Sequence, residues 1–316
     1  LNSSPPPGSF IAGVYANSQG SRRYKLFIPS RHAGKPLPLL VMLHGCLQDP
    51  DDFALGTRMN AIAEEQGLFV LYPGQSESAN QTRCWNWFNA ANQRRDQGEP
   101  SIIAGMTREV VDSYNIDARR VFIAGMSAGG AMAAIMAATY SDLYAAVGIH
   151  SGVPFGAAQN LLAAMAAMKD GAAIGARLPS KSIPLIVFHG DQDMVVNSRN
   201  CEQLVAQWLD GPAPSRRQDT SAAQASEGNG RAFTRTRYGD GEGHTVAETW
   251  LVHGAGHAWS GGAPGGTFTD PSGPDASREM VRFFSEVSRD AAKAQRSGLL
   301  KRIKERVRSL RASSAD

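Results

Sequence analysis

Apolar positions along the chain fall into two kinds of run, and their alternation sets the expected fold. SRRYKLFIPS (Ser21–Ser30) sets Tyr24, Leu26 and Ile28 against polar neighbours, the pattern of a half-covered strand. LPLLVMLHG (Leu37–Gly45), LFVLYPG (Leu68–Gly74), RRVFIAG (Arg119–Gly125), YAAVGIHSG and IPLIVFHGD are instead short continuous apolar runs punctuated by glycine. Such runs suit strands covered on both faces. Between them, RMNAIAEEQG, Ser101–Ile116, SAGGAMAAIMAATY, Gln159–Asp170 and EQLVAQWL carry helical spacing. TRTRYGDGEGHTVAETWLVHGAGH reads as a strand, a Gly-rich turn and a strand, and ASREMVRFFSEV as a closing helix. Residues 75–100 read as a loop around CWNWFN. Strands and helices alternating at this spacing predict a mostly parallel sheet with helices on both faces. In such sheets the functional loops lie at the carboxyl ends of the strands.

Composition supports one large globular unit: 316 residues, 42% hydrophobic and 19% charged, enough to bury a core. The net charge of +3 changes meaning once mapped. Residues 291–316 hold eight Lys or Arg against two acids, a tail of +6, so residues 1–290 carry −3. The basic balance therefore gives no sign of a nucleic-acid surface on the body. No apolar run approaches the ~20 residues that span a bilayer. The opening LNSSPPPGS reads as a linker left after processing. The expected organisation is a linker over 1–20, a catalytic domain over 21–290 and a basic amphipathic tail over 291–316. In the tail, Leu299, Leu300, Ile303, Val307 and Leu310 share a helical face, suited either to an anionic membrane or granule surface or to docking on its own domain. Three cysteines, Cys46, Cys84 and Cys201, are too few for a disulfide scaffold and lack zinc spacing, so no metal is expected.

The chemistry sits where those strands end. Ser127 follows a buried run, opens a helix pattern and is flanked by Gly125 and Gly129. That G-x-S-x-G arrangement suits a sharp strand-to-helix turn that exposes a hydroxyl above a sheet. A serine hydroxyl needs a base to take its proton. His257, in the Gly-rich loop after the last predicted strand, is the candidate; His253 reads as a packed or surface histidine. The base needs a carboxylate to hold its ring. HGDQDMVV offers Asp191 and Asp193; the turn geometry favours Asp193, with Asp191 as the alternative and otherwise a turn residue. An oxyanion would be met by the Ala128 amide and by the Cys46 amide after the turn in LHGC.

LPLLVMLHGCLQDPDDFALGTRMNAIAEEQGLFVLYP, CWNWF, VFIAGMSAGGAMA, HGDQDMVV and HGAGHAWSGG together resemble the polyhydroxybutyrate depolymerase family of esterases, relatives of the feruloyl and acetylxylan esterases. The resemblance runs from about Ser21 to Val287. It implies an α/β-hydrolase fold and ester hydrolysis without a cofactor, with Ser127 as nucleophile, Asp193 as acid, His257 as base and Cys46 at the oxyanion position. It also implies a Cys46–Cys84 disulfide, hence an oxidising compartment, extracellular or periplasmic, with an intracellular granule-associated location as the alternative. Cys201 is expected to be a buried free thiol.

Trp85, Trp87 and Trp259 fall in loops near the expected site and would suit an uncharged, chain-like substrate; for Trp85 and Trp87 the alternative is that they anchor their loop to the core. No long lid is evident between GIHSG and PLIVFHG. The expected substrate is a polyester of the poly(3-hydroxybutyrate) type or its oligomers, with feruloyl or acetyl carbohydrate esters as the alternative. A non-catalytic polymer- or granule-binding relative is a further reading. The sequence fixes no oligomeric state.

Overall fold

The computed structural model describes residues 8–172, 177–178, 182–209, 216–224, 230–240 and 243–293. The chain opens with two paired strands, β1 (Ser9–Asn17) and β2 (Gly20–Ile28). It continues through β3 (Leu37–Leu43), α1 (Pro50–Thr57), α2 (Met59–Gln66), β4 (Phe69–Pro73) and α3 (Gly98–Ser113). Next come β5 (Ile116–Met126), α4 (Ala128–Thr139), β6 (Ala146–His150), α5 (Leu161–Asp170), β7 (Leu185–Gly190) and α6 (Arg199–Leu209). Strands β8 (Arg216–Gln224), β9 (Ala232–Gly239) and β10 (Thr245–Val252) precede a last helix, α7, over 276–293.

These strands form one sheet in the order β1-β2-β4-β3-β5-β6-β7-β10-β9-β8. From β4 to β10 all neighbours are parallel; β1, β2, β9 and β8 extend the sheet with antiparallel pairs. This is the α/β-hydrolase arrangement expected above. The continuous apolar runs are buried on both faces, as predicted. In β3, Leu39, Val41 and Leu43 face one core while Leu40 and Met42 face the other. The first core is covered by α3, α4 and α6 through residues such as Ile103, Met106, Met132, Leu204 and Trp208. The second is covered by α1, α2 and α7 through Phe53, Ile62, Met280, Phe283 and Phe284.

Three of these elements were not expected. Ser9–Asn17 lies inside the stretch assigned to a linker, yet pairs with β2 along its whole length. Helix α1 has Asp49 as its N-cap, accepting from the Asp52 amide at 2.9 Å, and proline in its first turn. Strand β8 is too polar to show a strand pattern; pairing with β9 defines it. The apolar helical face expected over Leu299 to Leu310 lies outside the described residues. No described helix is long and apolar enough to cross a membrane.

Candidate active site

Strand β5 ends at Met126 and α4 begins at Ala128, so Ser127 alone makes the turn. It is held at φ 56°, ψ −121°, a conformation that L-residues adopt only under constraint. The constraint is close packing. A Cβ on Gly129 would lie 2.0 Å from the Leu43 carbonyl oxygen, and one on Gly125 would lie 2.3 Å from that of Gly129. The flanking glycines therefore let α4 start directly against the end of β3. Ser127 is half-buried, and its amide donates to the His150 carbonyl at 2.9 Å.

The candidate acid and base, Asp193 and His257, follow the neighbouring strands β7 and β10. Gly190 closes β7 beneath the loop that follows β10; a Cβ there would meet the Ala255 oxygen at 2.2 Å. The two loops are joined by Asp191 N–H to Val252 O (3.1 Å) and Gln192 N–H to Ala255 O (3.0 Å). This brings Asp193 Oδ2 to 2.8 Å from His257 Nδ1. The other carboxylate oxygen accepts from the Val195 and Val196 amides at 2.9 and 2.8 Å. Burial alone would raise the Asp193 pKa. The hydrogen bond and charge of His257, the Val196 amide and His189 outweigh it and hold the carboxyl at about 2.

Asp191 has a different partner. It accepts from His253 Nδ1 at 2.9 Å and from the Gly254 amide at 2.7 Å, at a more exposed site. Of the two aspartates, Asp193 is the one bonded to His257, while Asp191 bonds the turn after β10. No hydrogen bond joins the Ser127 hydroxyl to His257, a contact that in such sites often closes only with substrate.

Ala128 is the first residue of α4, where an amide has no intrahelical acceptor. Among the described residues the Cys46 amide likewise makes no hydrogen bond. Gly45 is gripped at both of its backbone polar groups. The Gln75 amide donates to His44 Nε2 (3.1 Å), so Nδ1 carries the proton and donates to the Gly45 carbonyl (2.7 Å). Burial pushes the His44 pKa down to about 4 and keeps this tautomer neutral. On the far side the Gly45 amide donates to Gln48 Oε1 at 2.9 Å, and Gln48 Nε2 reaches Asp52 and the Thr267 carbonyl, each at 3.1 Å. Gln48 was not singled out in the sequence; its place three residues after the turn glycine was the only signal.

Cys46 and Cys84 form the expected disulfide, closing a separation of 38 residues. The loop it ties is further anchored by Glu99. This buried carboxylate accepts from the Asn86 amide and side chain, both at 2.8 Å, and pairs with Arg22 at 3.4 Å. Cys201 is free and buried, and burial pushes its thiol to about 12. The tryptophans correct the sequence reading. Trp85, Trp87 and Trp259 are 0%, 6% and 1% exposed, so they cannot face a substrate. Trp85 packs on His44, Trp87 on Phe88, and Trp259 between Phe53 and His150. The exposed apolar residues beside the site are Leu47, next to Cys46, and Met194 and Val195, next to Asp193. Among the described residues no cluster of side chains suits a metal ion.

Known proteins resemble this chain in sequence and in fold. The chain is 28% identical over 232 residues to poly(3-hydroxyalkanoate) depolymerase C of Paucimonas lemoignei, covering 70% of this chain and 54% of that one. It thus spans about half the length of that relative. Feruloyl esterase B of Thermothelomyces thermophilus is 26% identical, with 73% of this chain and 82% of that protein aligned. The solved acetyl xylan esterase of Aspergillus awamori superposes with a TM-score of 0.62 at 21% identity, over 75% of this chain and 89% of its own, a likeness of fold. The family described as esterase PHB depolymerase matches residues 22–229, more than half of the chain and inclusive of Ser127 and Asp193, and the chain belongs to that family.

Proposed function

We propose that the protein is a serine esterase. Ser127 attacks the ester carbonyl while His257 Nε2 takes its proton; His257 then gives that proton to the departing alcohol. Asp193 fixes the proton on Nδ1 and stabilises the imidazolium. The Cys46 and Ala128 amides meet the oxyanion. Water, deprotonated by the same histidine, releases the acid from the acyl-enzyme. No cofactor enters. The observation that carries this reading is the Asp193–His257 bond at 2.8 Å, set beside a serine held at φ 56°, ψ −121°.

The proposed substrates are poly(3-hydroxybutyrate)-type polyesters or their oligomers. Support comes from the depolymerase relative and from the uncharged apolar rim of Leu47, Met194 and Val195. Feruloyl or acetyl carbohydrate esters are a second reading, favoured by the 82% of feruloyl esterase B that aligns. The Cys46–Cys84 disulfide supports an extracellular or periplasmic location. Turnover of p-nitrophenyl butyrate by the wild type, abolished in Ser127→Ala, tests the chemistry; equal inactivity of both would end the enzyme reading. Products from amorphous polyhydroxybutyrate and a feruloylated sugar, assayed side by side, decide the substrate.

A further inference from the structure

His150 closes β6 and belongs to neither the proposed triad nor the oxyanion donors. It nevertheless touches both halves of the site. Its carbonyl accepts the Ser127 amide at 2.9 Å. Its ring Nε2 accepts the Ser260 amide at 3.0 Å, three residues beyond His257. The ring is sandwiched between Phe188 (5.9 Å, 12°) and Trp259 (5.0 Å, 24°), and is 1% exposed.

We infer that His150 is a positioning residue: it ties the turn carrying Ser127 to the loop carrying His257 and thereby sets the approach of hydroxyl to imidazole. The inference rests on the esterase reading. Its physical basis is that one residue bonds both segments: its backbone carbonyl holds the Ser127 amide, and its buried ring, fixed between Phe188 and Trp259, holds the Ser260 amide. An amide can only donate, so Nε2 is bare and Nδ1 carries the proton, 3.2 Å from Ser151 Oγ. Burial, then the neighbouring His189 and His257, push the His150 pKa down to about 3, so the accepting lone pair persists at neutral pH. Ser260 is 2% exposed, so without that lone pair its amide would be buried and unpaired. The loop would shift to find a partner, moving His257 with it.

Three substitutions separate the acceptor from the packing. In His150→Gln the side-chain oxygen reaches the place of Nε2. In His150→Asn it reaches only the place of Nδ1, facing Ser151. His150→Phe keeps an aromatic ring between Phe188 and Trp259 but no acceptor. Each variant is assayed with p-nitrophenyl butyrate well below its melting temperature. Gln should keep kcat within about fivefold of wild type, whereas Asn and Phe should lose about 100-fold, the effect of a displacement near 1 Å, with KM within about twofold. The role is overturned if Asn and Gln have equal kcat, whether both high or both low, or if the loss appears in KM. Should Phe fail to fold, the Gln–Asn pair decides alone. An inactive wild type sinks the esterase reading and this inference together. An active wild type with dead Ser127→Ala and equal Gln and Asn variants sinks the role of His150 alone.

Discussion

Asp193→Asn changes one atom at the centre of the proposed site, and the structure fixes which way the new amide must point. The Val195 and Val196 amides both donate to Oδ1, at 2.9 and 2.8 Å. In the asparagine variant the carbonyl oxygen must take that position, because an NH2 group there would face two donors. The NH2 is then forced towards His257 Nδ1, at the present 2.8 Å. Two donors cannot share that contact, so the imidazole switches tautomer: Nδ1 accepts and Nε2 carries the proton. A protonated Nε2 cannot take the Ser127 proton. A triad so mis-protonated loses about 10⁴ in kcat, equivalent to about 5.4 kcal/mol. The assay is kcat for p-nitrophenyl butyrate, with folding checked by circular dichroism. Asp191→Asn is the control and should stay near wild type, since Asp191 holds His253 and Gly254 instead. A folded Asp193→Asn variant retaining a tenth of wild-type kcat would refute the reasoning, as would a comparable loss in Asp191→Asn.

The same carboxylate predicts a pH effect on stability: lowered from 3.8 to about 2, it contributes about 2 kcal/mol that is complete above pH 3.8 and disappears as pH falls through 2. Acid unfolding of Asp193→Asn, followed by fluorescence, should lack that increment. Cys84→Ser opens the 38-residue loop and should cost about 4 kcal/mol on the chain-entropy estimate. For a domain of this size that is a fall in Tm of about 7 °C under oxidising conditions; an unchanged Tm would show the loop held by Glu99 and its partners alone. Gly129→Ala drives a Cβ to 2.0 and 2.5 Å from the Leu43 and His44 oxygens. Backbone atoms cannot yield cheaply, so a loss of about 3 kcal/mol is expected in the urea midpoint. Glu99→Gln leaves Arg22 buried without its counter-charge and should cost about 3 kcal/mol in the same assay.

The continuous apolar runs of β3, β5 and β7 were decisive in the sequence because a strand covered on both faces must be apolar at every position. Their order along the chain, interleaved with helices, leaves few topologies open. The positions of Ser127, Asp193 and His257 just past β5, β7 and β10 were legible for a related reason: in a parallel sheet, residues that follow the strands lie towards one edge, whatever their separation in sequence. In the proposed oxyanion loop, Gly45 and Cys46 were legible. What grips it, His44 through Gln75 and Gln48 through Asp52 and Thr267, depends on contacts between segments far apart in the chain.

Exposure was not legible at all for Trp85, Trp87 and Trp259, because a tryptophan in a loop can serve a core or a surface equally well and its identity does not say which. Strand β1 and strand β8 likewise depend on a neighbouring strand more than on their own residues. The sequence by itself determined the run of strands and helices and placed Ser127, Asp193 and His257 just past strand ends, since periodicity and strand ends are local properties. Only the tertiary structure decided which aspartate meets His257, which way the Gly45–Cys46 peptide faces and where the tryptophans lie. Each of those follows from hydrogen bonds and packing between residues that become neighbours only when the sheet closes.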